Sequence, residues 1–107
     1  MSKFSEIVEI YETWDVAKVD HWLHDDFLFI KDFDMQTKEE YLEDTKVLFE
    51  QGFKMSDPKM VVENDDIMAL SHIVADGSGQ RFRVTAVTFF KDGKSWRLAT
   101  SRVPVEI

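Results

Sequence analysis

Two arginines and a histidine are the side chains in this sequence best placed to do chemistry together, and one turn decides whether the arginines meet. Arg83 and Arg102 lie on two runs rich in β-branched and aromatic residues, 81–91 and 94–103, joined by Asp92-Gly93. Asp-Gly between such runs signals a hairpin, because both central residues of a type I′ turn take positive φ. With Lys91 opposite Lys94, a regular ladder pairs Phe89 with Trp96, Val87 with Leu98, Thr85 with Thr100 and Arg83 with Arg102, all on one face. Adjacent guanidinium groups repel unless an anion lies between them. That anion is either an Asp or Glu from a helix or the carboxylate or phosphate of a ligand. His72 is the third group: an imidazole with an ordinary pKa of about 6.5 serves as a general acid or base near neutral pH, or else as a hydrogen-bonded core residue.

The elements that must hold these groups are readable in chain order. Residues 3–13 place Phe4, Ile7, Val8, Tyr11 and then Trp14 at spacings of three and four, an amphipathic helix with an aromatic end. Asp15 is positioned to cap a second short helix, 16–23, with Val19, Trp22 and Leu23 on one side. Residues 27–30, Phe-Leu-Phe-Ile, are too few for a helix and read as a buried strand, followed by an acidic loop over 31–34. Thr37 and Glu40 form a capping-box pattern, so a third helix starts at Lys38, buries Tyr41, Leu42, Thr45, Leu48 and Phe49, and stops at Gly52. Asp57-Pro58 opens a strand through Glu63, Asn64-Asp65-Asp66 turns the chain, and 67–75 forms another strand. A turn at 76–79 leads into the hairpin. Three helices followed by a four-stranded antiparallel meander make the class α+β.

Composition bounds the function. The chain's 107 residues predict a single domain over 1–107, small enough that a partner covering one sheet face would add usefully to its buried surface. Thirteen basic against 21 acidic residues, a net charge of −8, argue against nucleic acid or an anionic membrane as partner. The absence of cysteine excludes disulfides, thiolate catalysis and zinc-thiolate sites. No apolar run approaches the roughly 20 residues of a membrane span. Met1-Ser-Lys leads into an amphipathic stretch rather than a signal segment, so a cytoplasmic protein is expected. His21 and His24, among Asp20, Asp25 and Asp26, could hold a metal or simply form a solvated helix end, and the expectation is no metal. No phosphate loop, dinucleotide fingerprint or nucleophile elbow occurs, and no cofactor is expected.

Element order, the aromatic residues closing the first helix, the Leu23-His-Asp-Asp-Phe27 stretch and the Phe90-Lys-Asp-Gly-Lys94 hairpin together resemble the nuclear transport factor 2-like superfamily. That group includes ketosteroid isomerases and SnoaL-like polyketide cyclases. The resemblance implies a curved, mainly antiparallel sheet wrapped round a helix, a cystatin-like cone with an internal pocket, and a homodimer through the outer sheet face. It also implies that Arg83, Thr85, Val87 and Phe89 point into the pocket with Trp96, Leu98, Thr100 and Arg102. A two- or four-residue loop at 76–79 would add Met68, Leu70 and His72 to that face, with His72 opposite Arg83, whereas a three-residue loop would turn His72 away.

Ketosteroid isomerases carry a proton-shuttling aspartate matched here by Lys31, with Asp32 one residue on. Their protonated aspartate is matched by Thr85, and their oxyanion tyrosine, approximately, by Tyr11. A threonine cannot replace a neutral carboxylic acid of raised pKa, so steroid isomerisation itself is not expected. Cyclase-like chemistry would pair His72 with Asp32.

Two readings of function follow. In the first, a small-molecule binding protein or SnoaL-like enzyme uses His72 and Asp32 as acid and base. Arg83 and Arg102 hold an anionic oxygen, Tyr11, Thr85 and Thr100 supply hydrogen bonds, and Trp14, Trp96 and Leu98 form the apolar wall. In the second, the cone is filled by its own side chains, and Phe82, Val84, Ala86, Phe90 and Ala99 on the outer face make a non-catalytic dimer. A cavity of roughly 300 Å³ or more separates them in favour of the first.

Overall fold

The computed structural model describes residues 2–105, in the order α1 (Lys3–Thr13), α2 (Val16–Trp22), β1 (Leu23–Lys31), β2 (Asp34–Thr37), α3 (Lys38–Glu50), β3 (Ser56–Glu63), β4 (Ile67–Ala75), β5 (Arg81–Lys91) and β6 (Lys94–Pro104). The strands form one six-stranded sheet in the order β2-β1-β6-β5-β4-β3. Every neighbouring pair is antiparallel except β1 and β6, which run parallel. The α+β class and the helices-first order are as expected from the sequence.

Local signals explain the helix starts. The Ser2 hydroxyl accepts from the Ser5 amide at the head of α1, and the Asp15 carboxylate accepts from the Ala17 amide at the head of α2. At α3 the Thr37 hydroxyl accepts from the Glu40 amide while the Glu40 carboxylate accepts from the Thr37 amide. All three helices lie on the concave side of the sheet, where their apolar stripes meet it in two clusters. Val19, Leu23, Phe27 and Phe49 form one. Ile7 of α1 packs with Met68 and Leu70 of β4 to form the other.

Three details depart from the sequence reading. Residues 31–34 are not an open loop: Asp32, at φ 51, and Phe33 make a tight turn, and β2 folds back on β1 with Lys31 opposite Asp34. Without glycine or asparagine at the turn, its type carried no sequence mark. The loop between β4 and β5 spans residues 76–80, with Ala75 opposite Arg81. Asp76 organises it by accepting from the Ser78 amide, the Ser78 hydroxyl and the Gln80 amide.

The third departure has the widest effect. The hairpin begins in the expected register, Lys91 opposite Lys94 and Phe90 opposite Ser95, but a bulge at Trp96 then sets Phe89 opposite Arg97 and Thr88 opposite Leu98. One extra residue inverts the facing of everything beyond it on β5 relative to β6. Two contacts explain why the bulge is favoured. Inside, the Thr88 and Ser95 hydroxyls bond at 2.6 Å. Outside, the Trp96 ring lies under the Arg97 guanidinium at 3.8 Å, with Lys91 Nζ at 5.3 Å.

With Ser95 inward, a regular ladder would turn Arg97 into the cavity and Leu98 out of it, whereas the bulge at Trp96 keeps Leu98 in the apolar lining. Phe82, Val84, Ala86 and Phe90, expected on the outer face, are therefore concave, and Arg83, Thr85, Val87 and Phe89, expected inside, are convex. On β4 the two departures cancel. A five-residue loop from the inverted β5 still brings Met68, Leu70 and His72 to the concave side.

Candidate ligand-binding cavity

Between the concave face and the helices lies a cavity of about 300 Å³. Its floor and walls follow the ladder in tiers. At the closed end Leu23 pairs with Ser95 and Ser95 with Phe90. Next come Met68, Thr88, Leu98 and Phe29 in cross-strand sequence, then Leu70, Ala86, Thr100 and Lys31, then His72, Val84 and Arg102. The first tiers are buried, while Lys31, Asp32, Asp44 and Arg102 at the other end are exposed. The cavity is thus closed at the hairpin end, with apolar walls around the Thr88 and Ser95 hydroxyls, and charged at its mouth.

Three sets of polar groups look inward. His72 is only 8 % exposed, and its Nδ1 is the one buried side-chain polar atom without a hydrogen-bond partner among the described residues. Burial holds its pKa below the ordinary value, aided by the positive charge of Arg83 and opposed by the Ile73 backbone, so the ring is neutral at neutral pH. From α1 and α3, the Tyr11 and Tyr41 hydroxyls bond to each other. The Tyr11 ring packs edge-on against Phe49 and Phe53, and Tyr41 packs edge-on against Phe29 and tilted against Phe27. Burial raises both phenol pKa values. Two neutral phenols carry two O–H donors, and the mutual bond uses one. The Thr45 hydroxyl lies beside the Tyr41 oxygen, so with Tyr41 donating to Tyr11 it is the Tyr11 proton that is left over, and both rings line the cavity. Thr88 and Ser95 are the third set.

The residues singled out from the sequence separate accordingly. His72, Asp32, Tyr11, Leu98, Thr100 and Arg102 all line the cavity. No hydrogen bond joins His72 to Asp32. Arg83 and Arg102 are not cross-strand partners: Arg83 faces the convex side, where Nη2 bonds Asp57 and Nη1 bonds Ser71, each at 3.2 Å. The ion pair with Arg83 lowers the Asp57 pKa. Arg102 stays at the mouth, opposite Val84, with its guanidinium 4.5 Å from the Phe82 ring centre.

Thr85 and Trp96 also belong to the convex side, for the register reason given above. Trp14 closes α1 in a left-handed conformation and donates its indole N–H to the Phe53 carbonyl, outside the cavity. His24 bonds Asp92 rather than approaching His21, and no group of three or more His, Asp or Glu among the described residues converges as a metal site. Sequence reasoning missed Tyr41, Thr88 and Ser95 as site residues. Tyr41 had a usable signal, since a tyrosine on a buried stripe needs a partner for its hydroxyl. Thr88 and Ser95 were hidden by the bulge.

No family sequence model matches the chain, and no curated protein sequence does. Solved structures do. A nuclear transport factor 2-like protein of unknown function from Cytophaga hutchinsonii is similar with a TM-score of 0.75 and 17% identity, over 92% of this chain and 84% of that one. A candidate polyketide cyclase from Sinorhizobium meliloti is similar with a TM-score of 0.73 and 15% identity, over 88% of each chain. A de novo designed protein with a curved β-sheet is similar with a TM-score of 0.66 and 14% identity, over 94% and 86%. The fold is therefore nuclear transport factor 2-like, three helices on the concave side of a curved open sheet. The same backbone is shared by natural and designed chains, so function rests on what lines the cone.

Proposed function

We propose that this protein binds a small apolar molecule bearing a polar or anionic oxygen and performs SnoaL-like acid–base chemistry on it. The observation that supports this reading is an unfilled cavity of about 300 Å³ lined by a buried imidazole whose Nδ1 has no hydrogen-bond partner and by a hydrogen-bonded tyrosine pair. The neutral His72 ring can take a proton from carbon next to a carbonyl. The spare hydroxyl proton of the Tyr11–Tyr41 pair then bonds the oxygen on which negative charge develops. Two neutral phenols of raised pKa remain donors through such a step.

The filled-cone interaction module is less well supported, because the space is there. The test is deuterium uptake next to the carbonyl of β-tetralone, followed by NMR. Acceleration by the protein, lost in His72→Gln and reduced about 10- to 100-fold in Tyr11→Phe, is the expected result. Binding without acceleration would leave a binding protein and overturn the enzyme. Absence of binding would overturn both.

We also propose that the convex face pairs with a second copy. Met35, Ile30, Ala99, Val87, Ala69 and Val62 are consecutive cross-strand neighbours and form one apolar row across all six strands. Phe89, beside that row, is 44% exposed. A row with alanines on either side of Val87 can lie against its own two-fold mate. These residues replace Phe82, Val84, Ala86 and Phe90 as the dimer surface.

A further inference from the structure

The two ends of the cavity differ in a way that specifies the ligand more closely, and this step rests on the reading of the cavity as a small-molecule site. At the closed end Thr88 is 5% and Ser95 1% exposed, and their hydroxyls bond each other at 2.6 Å. Their mutual bond uses one of two O–H donors, and no other hydrogen bond is made by either side chain among the described residues. The pair keeps a donor and acceptor lone pairs for a third group. At the mouth, Lys31 is the cross-strand neighbour of Thr100, and Arg102 lies two residues beyond Thr100 on the same face. Neither cation makes a salt bridge among the described residues. The rim also carries Asp44, engaged by the Gln36 amide at 2.7 Å, and Asp32, which bonds neither cation. Arg102 lies over the Phe82 ring and within reach of the Asp76 charge, but two cations without a salt bridge flanking a hydroxyl at a cavity mouth, in a chain of net charge −8, favour an anion there.

We infer that the cavity takes an organic carboxylate with a hydroxyl or carbonyl oxygen at its opposite end, the carboxylate held by Lys31, Thr100 and Arg102 and the neutral oxygen received by Thr88 and Ser95. Thr88 and Val84, the cross-strand partner of Arg102, are four residues apart on β5, roughly 13 Å at 3.3 Å per residue. After a hydrogen bond at each end, that span suits a body of about two fused rings, which Phe29, Met68, Leu70 and Leu98 would enclose.

The test compares 6-hydroxy-2-naphthoate, 2-naphthoate and 2-naphthol by fluorescence titration. The hydroxynaphthoate should bind tightest, and loss of either group should weaken binding about tenfold. Arg102→Gln and Lys31→Gln, both at exposed positions, should erase the advantage of the carboxylate while leaving naphthol affinity unchanged. Ser95→Ala should erase the advantage of the hydroxyl while leaving naphthoate affinity unchanged, and Thr88→Val should do the same. Equal affinity for all three compounds, or an equal loss for all three in Arg102→Gln, would overturn the inference and leave the cavity a binding site. Failure of all three to bind would overturn the small-molecule reading with it.

Discussion

His72 is buried with one ring nitrogen unpaired. Its Nδ1 is desolvated without a partner, which disfavours the protonated ring and disfavours burial itself. The sign of the resulting pH dependence is set by which state takes the proton first. With the folded pKa below the ordinary 6.5, the unfolded chain protonates first. The stability His72 permits is whole above about pH 6.5 and declines as pH falls through the lower folded value. His72→Leu should flatten this part of the pH–stability profile in chemical denaturation and raise stability at pH 7 by about 1 kcal/mol. A variant as pH-sensitive as the wild type would show that another group titrates there. Asp57, whose pKa is lowered by Arg83, begins to lose its contribution only below about pH 3.8, so its window opens at lower pH than that of His72.

At the scale of elements, the cap of α3 and the last hairpin make separate predictions. Thr37→Ala removes a hydroxyl from a reciprocal pair of capping bonds and should cost about 1 kcal/mol in denaturant unfolding. In the hairpin, NMR cross-strand contacts should join Thr88 to Leu98 and Ala86 to Thr100. Contacts joining Phe89 to Trp96 and Arg83 to Arg102 would restore the regular register and remove the bulge. The same hairpin shows what was legible in the sequence. The turn, both strands and the first two residue pairs follow from Asp92-Gly93, since turn chemistry is local.

The bulge is not local. It depends on whether Leu98 or Arg97 enters a cavity lined by Phe29 and Trp22, and on an outer face where Arg97 and Lys91 lie over the Trp96 ring. That competition involves residues far apart in sequence, which no pattern within one strand records. Arg83 and Thr85 are placed inside by the resemblance and face outward, whereas Arg102, Thr100 and Leu98, read across a regular ladder from them, fall on the correct side because the unseen bulge reverses the facing a second time. The tyrosine pair lay beyond reach too, because its members come from different helices.

At the scale of the whole molecule, the convex row and the cavity are the two faces of one sheet. Val87, between Ala99 and Ala69, is near the middle of the row, so Val87→Glu would place a charge on each side of a two-fold contact. Sedimentation at tens of micromolar should give twice the chain mass for the wild type and the single-chain mass for Val87→Glu. A wild-type monomer under those conditions would remove the dimer proposal. A further consequence lies in the parallel seam between β1 and β6. Those strands are neighbours in space, yet all of α3 and the meander separates them along the chain. The meander can zip from hairpin to hairpin, but the seam closes only after the longest loop in the topology has been drawn in. The cone should therefore mature late: folding monitored at Phe29 and Leu98 should trail folding monitored at Ala86. Until the seam is made, α3 and Tyr41 stand only against α2, β1 and β2, and the nascent chain exposes the apolar lining that later becomes the cavity.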